Sequence, residues 1–153
     1  SLATGIHPRH DGLQPQMAGL DIPGVSVSQG QEGVTLRIDD SLLFPSGNDV
    51  LTPQGQDVLE RLSSVLATFD GQISVEGHTD NVPISTPRFP SNWELSVGRA
   101  IAVVRQLERQ GIAISRMRAV GYADTQPMES NATSEGRAAN RRVELLLRQQ
   151  VEG

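Results

Sequence analysis

Val75-Glu76-Gly77-His78-Thr79-Asp80-Asn81-Val82-Pro83-Ile84 reads as a strand running out into a loop. Apolar Ile73 and Val75 alternate with polar Ser74 and Glu76, and Gly77 then releases the backbone. Its counterpart, Ser91-Asn92-Trp93-Glu94-Leu95-Ser96-Val97-Gly98-Arg99-Ala100, reads as a helix start. Ser91 or Asn92 can cap it, and Glu94 suits the positive end of the helix dipole. Asp80 therefore falls just past a strand end, and Arg99 about two turns into the following helix. If that helix folds back over the sheet edge, a carboxylate and a guanidinium converge on a shallow pocket. Such a pair suits a zwitterion, because Asp accepts from an ammonium while Arg forks onto a carboxylate.

Working outward, Thr52-Pro53 opens a first helix, with Val58, Leu59, Leu62, Val65, Leu66 and Phe69 on one apolar stripe and Asp70-Gly71 as its end. The order strand, helix, strand calls for a crossover helix packed on one sheet face. The second helix is expected from about Asn92 to Gln110, with Val97, Ala100, Ile101, Val104 and Leu107 inward and Arg99 beside them. Upstream, Val25–Ser28 and Val34–Ile38 alternate around Gly30 and Gly33 and predict a β-hairpin. Leu42 to Gly47 reads as a turn. Met117 to Tyr122 and Arg142 to Leu147 complete the strands, with a polar loop and a short helical turn over Asn131 to Asn140. The sum is an α+β fold, a mixed sheet with two main helices on one face.

Residues 1–24, with three prolines and four glycines and no apolar period, read as a linker or an arm lying over the domain. Residues 25–148 form the domain and 149–153 a frayed tail. The 153 residues suffice for one domain with a sizeable core. Thirteen basic against eighteen acidic residues give a net charge of −5, which argues against a nucleic-acid backbone as the partner. Cysteine is absent, which excludes a disulfide framework and a thiol nucleophile. No apolar run reaches about 18 residues. A start at Ser1 rather than Met suggests a segment of a longer protein.

Three segments, His78–Ile84 (HTDNVPI), Phe89–Ala100 (FPSNWELSVGRA) and Asn131–Leu145 (NATSEGRAANRRVEL), resemble the OmpA-like peptidoglycan-binding domain. The resemblance covers roughly Gly33 to Arg148, and its loop is most similar to the C-terminal domain of MotB-type flagellar stator proteins. It implies a β/α/β/α/β order and capture of the diaminopimelate of a stem peptide. Asp80 would hold the ammonium and Arg99 the carboxylate. Backbone groups near Phe44 and Thr79 would hold the rest, and Asn92 and Leu95 are matched motif positions. It further implies a homodimer, a channel-forming stator partner reached through a membrane segment outside this sequence, and the periplasm of a Gram-negative bacterium with anchorage in the inner membrane. The same domain on a type VI secretion membrane protein, or a dimerisation module without ligand, are the alternatives.

Each of these residues has a plainer reading beside the functional one. Asp80 and Arg99 can form an idle ion pair. Asn92 can cap its helix or orient a stem-peptide amide, Leu95 can be pocket wall or core, and Phe44 lies in a turn that is either a plug or a pocket edge. Arg141 is expected to be structural, whereas Arg137 and Arg142 are left at the pocket edge. Tyr122 reads as packing. Glu76, His78 and Asp80 alternate as an E-x-H-x-D set, but strand neighbours stand side by side rather than wrapping an ion. No metal and no cofactor are expected; Glu76 should pair across the sheet and His78 hydrogen-bond locally. Catalysis is not expected either. Glycosidase chemistry needs two carboxyls facing a sugar, and Asp80 beside Arg99 offers a carboxylate paired with a cation.

Overall fold

The computed structural model describes residues 21–31 and 33–148. Most of the expected linker (1–20) and the expected tail (149–153) lie outside them. Five strands form one sheet: β1 (Val25–Gly30), β2 (Gly33–Asp39), β3 (Gln72–His78), β4 (Met117–Gly121) and β5 (Arg142–Arg148). Their spatial order is β1-β2-β5-β3-β4. β5 pairs antiparallel with both β2 and β3, while β3 and β4 run parallel. The strand that comes after all the others in the chain thus lies at the sheet's centre.

Between β2 and β3 run a short helix, α1 (Asp40–Leu43), and the longer α2 (Pro53–Leu66). Leu42–Gly47 is therefore not a simple turn: its first residues end α1, and Leu43 and Phe44 are buried. Thr52 caps α2 by accepting from the Gly55 amide at 2.9 Å, with Pro53 in the first turn. That cap stabilises the helix by about 1 kcal/mol. Val58, Leu59, Leu62 and Leu66 then point one way into the core. They meet Leu36 and Ile38 of β2, Ile73 and Val75 of β3, and Leu145 and Leu147 of β5. Ile22 joins the same core from just before β1.

Helix α3 (Asn92–Arg109) crosses β3 and β4. Its buried face comprises Leu95, Ser96, Arg99, Ala100, Val103, Val104 and Leu107. Val97 and Ile101, expected inward, are each 37% exposed. The reason lies in the sheet. Gly77 and Gly121 have no side chains to hold the helix off, and a Cβ on Gly77 would fall 2.3 Å from the Ser96 carbonyl oxygen. So close an approach favours small residues at the contact and rotates Ser96 and Ala100 inward. Arg99 consequently lies within the buried face, not beside it. A last short helix, α4 (Ser134–Asn140), leads into β5. Among the described residues, no helix is long and apolar enough to cross a membrane.

Candidate functional site

A cavity of about 500 Å3 opens where the ends of β3 and α1 meet the start of α3. Phe44, Thr79, Asp80, Asn92, Leu95 and Arg99 all line it, as do Asp40, Arg137 and Arg141. Six of the seven positions singled out in the sequence are therefore brought together. The seventh, Arg142, is not.

Asp80 follows the last strand residue by two positions, and its carboxylate is fixed on both oxygens. Oδ1 accepts from the Val82 amide at 3.0 Å, and Oδ2 accepts from Arg141 at 2.7 Å. Thr79 is anchored by its amide, which donates to the Ala123 carbonyl at 2.9 Å. Ala123 is itself unusual, a buried non-glycine residue with φ 52°. Such a backbone costs energy unless its surroundings hold it. Here the Ser96 hydroxyl accepts from the Ala123 amide at 3.1 Å while Thr79 takes its carbonyl. The loop is thus clamped to α3 from behind.

Asn92 clamps it from the other side. Its amide group donates to the Val82 carbonyl at 3.0 Å and to the Asp80 carbonyl at 3.4 Å. The cap of α3 is Ser91, which accepts from the Trp93 amide and donates to Glu94. The Ser91 hydroxyl keeps the Glu94 carboxyl below its usual pKa. Asn92 therefore ties loop to helix and does not cap.

Arg99 is only 3% exposed. It donates to the Asn48 carbonyl at 2.8 Å, to Asp40 at 2.7 Å and to the Pro45 carbonyl at 3.1 Å. Its guanidinium carbon stands 4.9 Å from the centre of the Phe44 ring. Asp80 and Arg99 share the cavity, yet they are not each other's partners. Asp40 holds Arg99, and Arg141 holds Asp80 while its Nε lies 3.9 Å from the other Asp40 oxygen. The site is a chain of alternating charge, Arg99–Asp40–Arg141–Asp80.

Asp40 and Arg141 line the cavity as well, and neither stood among the candidate ligand contacts drawn from the sequence. Asp40 opens α1 directly after β2, where an acid beside Asp39 looks like ordinary strand-end polarity. Arg141, expected to be structural, does pair with Asp80, and its side chain is 39% exposed at the cavity. Arg142, expected at the pocket edge, is buried away from the cavity, donating to Glu144 at 2.6 Å and to the Asn140 and Gln126 carbonyls, each at 2.9 Å. Arg141 is the extended residue just before β5 and Arg142 opens the strand, and adjacent residues leave an extended backbone on opposite faces.

Behind the site, His78 is buried and stacks on Tyr122, ring centres 5.1 Å apart. Neither imidazole nitrogen has a hydrogen-bond partner among the described residues, so the expected local bond does not form. Burial lowers its pKa from 6.5 to about 4, helped by the Arg142 charge and opposed by Glu144. Glu76, expected to find a partner across the sheet, instead faces Glu144.

Fold and site together define a class. Residues 43–141 match the OmpA family, and the chain belongs to it. Among relatives, motility protein B of Bacillus subtilis is 38% identical over 118 residues, 76% of this chain and 45% of that protein. The cell wall anchor of the type VI secretion system from Pseudomonas aeruginosa superposes with a TM-score of 0.80 at 36% identity, covering 94% of this chain and 99% of that one. The periplasmic domain of Helicobacter pylori MotB gives 0.78 at 27% identity, with 84% and 83% covered. The chain spans about half the length of the curated relatives it matches.

Proposed function

We propose that this domain is a non-catalytic periplasmic anchor that binds peptidoglycan through the diaminopimelate of the stem peptide. The observation that carries the reading is the alternating charge chain at the cavity. A zwitterionic amino-acid end needs an acceptor and a donor held at fixed separation, and the site presents both. Arg99 uses three of its five donors on Asp40 and two carbonyls, so it is pre-positioned with two N–H groups left. Asp80 receives the ammonium, Arg99 and Arg141 receive the carboxylate, and Thr79 and Asn92 keep the loop in place. Phe44 and Leu95 form the apolar wall. Likeness to motility protein B supports a flagellar stator as the machine served. With it go a homodimer, a channel-forming partner subunit and anchorage of the longer protein in the inner membrane.

The test is co-sedimentation with diaminopimelate-type sacculi, comparing the unaltered chain with Asp80→Asn and Arg141→Ala after each is verified as folded. The reading expects pelleting to be lost in both. Pelleting that survives both substitutions would place wall contact elsewhere. A second machine is favoured by one observation, the 0.80 superposition over nearly the whole secretion-system anchor. Deleting the gene separates the two: loss of swimming points to the stator, loss of effector secretion to the other.

A further inference from the structure

The site above uses one face of the strand ends and leaves the buried imidazole on the other face without a role. Val75 and Gly77 of β3 and Val143 and Leu145 of β5 belong to the core side, so Glu76, His78 and Glu144 leave the sheet on the opposite side. There Glu76 and Glu144 are direct cross-strand partners. Like charges set opposite each other destabilise a sheet unless something of opposite sign lies between them. His78 adds two buried nitrogens with no hydrogen-bond partner among the described residues, a burial that costs free energy unless a ligand is met.

We propose that Glu76, His78 and Glu144 form a binding site for a divalent cation of the zinc class, braced between β3 and β5. One donor atom from each residue lies within 4.8 Å of the others, and His78 Nε2 stands 4.0 Å from Glu144 Oε1. An ion about 2.1 Å from each donor spans at most about 4.2 Å between donors, so small side-chain rotations close the set. One imidazole and two carboxylates suit zinc or manganese. The surroundings already orient them. Arg142 takes Glu144 Oε2 and the Ser74 hydroxyl takes Glu76 Oε2, so each carboxylate keeps its Oε1 for the ion. Ser74 is in turn held by Arg118. Arg142 and Arg118 oppose a cation electrostatically and the two glutamates offset them, while the unpartnered imidazole supplies the third donor. Asp80, the third member of the set suggested by the sequence, is engaged by Arg141 and takes no part.

An ion here would tie the residue before Thr79 to the strand that follows Arg141, bracing the cavity from behind. The experiment uses the full chain carrying His7→Ala and His10→Ala, so that the amino-terminal histidines cannot bind zinc themselves. After chelator treatment, calorimetric titration with zinc chloride should show one site per chain and move the His78 imidazole resonances. Glu76→Gln and Glu144→Gln should each weaken binding at least tenfold, since even residues outside the coordination shell commonly cost about that much. Absence of saturable binding, or affinity unchanged in both glutamine variants, would overturn the proposal.

Discussion

Arg99 and Arg141 carry the same charge into the same cavity, yet their removal should have very different consequences. Arg99→Met leaves the Asp40 carboxylate and two backbone carbonyls without their donor in a buried position. Breaking a buried pair on one side costs about 3–5 kcal/mol, and urea denaturation should show a loss of that order. Arg141→Ala removes a half-exposed partner and leaves Asp80 its Val82 amide, so a smaller loss of about 1–3 kcal/mol is expected. The arginine variant suited to a binding assay is therefore Arg141→Ala. His78 gives the residue scale its pH dependence. Its unfolded imidazole takes a proton near pH 6.5 and its folded one only near about 4. Between these values the unfolded chain binds more protons, so the stability of metal-free protein falls as pH drops through that window and levels below it. The full loss is on the order of 3 kcal/mol. Urea midpoints across the window measure it, and a His78→Asn variant should lose that part of the slope.

The contact of α3 on β3 decides where the site's side chains point, and Gly77 permits that contact. Gly77→Ala forces helix and strand apart and should cost about 1–3 kcal/mol, as overpacking does elsewhere. Hydrogen exchange should show the loosening at α3 before it reaches β2. Much of this element was legible. Cap and start of α3 follow from Ser91 and Glu94, and Val58, Leu59, Leu62 and Leu66 of α2 are buried as their spacing predicts. The rotation of α3 was not legible, because Val97 and Ile101 are the more apolar choices. Only the absence of side chains at Gly77 and Gly121, on strands distant in sequence, turns Ser96 inward. The same limit applies to the charges. Asp80 and Arg99 could each be placed at a loop end and a helix face from local pattern. Their actual partners, Arg141 and Asp40, lie 61 and 59 positions away along the chain, and pairing at that range is set by the sheet order.

For the whole molecule, a cavity this open to solvent should hold a single stem peptide weakly, and proposed wall attachment then depends on copy number. Joining two domains through a dimerising helix should raise apparent affinity for sacculi by about 10²–10⁴-fold, the usual gain from effective concentration. Free diaminopimelate, which meets one site at a time, should bind both forms equally. A dimer no better than the monomer on sacculi would mean that the two cavities cannot face the wall together.

The central position of β5 has a consequence in time. A chain delivered in order from its amino terminus presents the β1–β2 hairpin first and the β3–β4 pair next, with no ladder joining them. Both halves wait for Arg142–Arg148 to slot between them. Closure of so many long-range pairs at the last step slows folding and joins the two halves in one event. Arg141, the residue just before that strand, reaches Asp80 only then. A molecule with a complete charge chain is therefore one whose sheet has already closed, and the proposed binding would report that folding has finished.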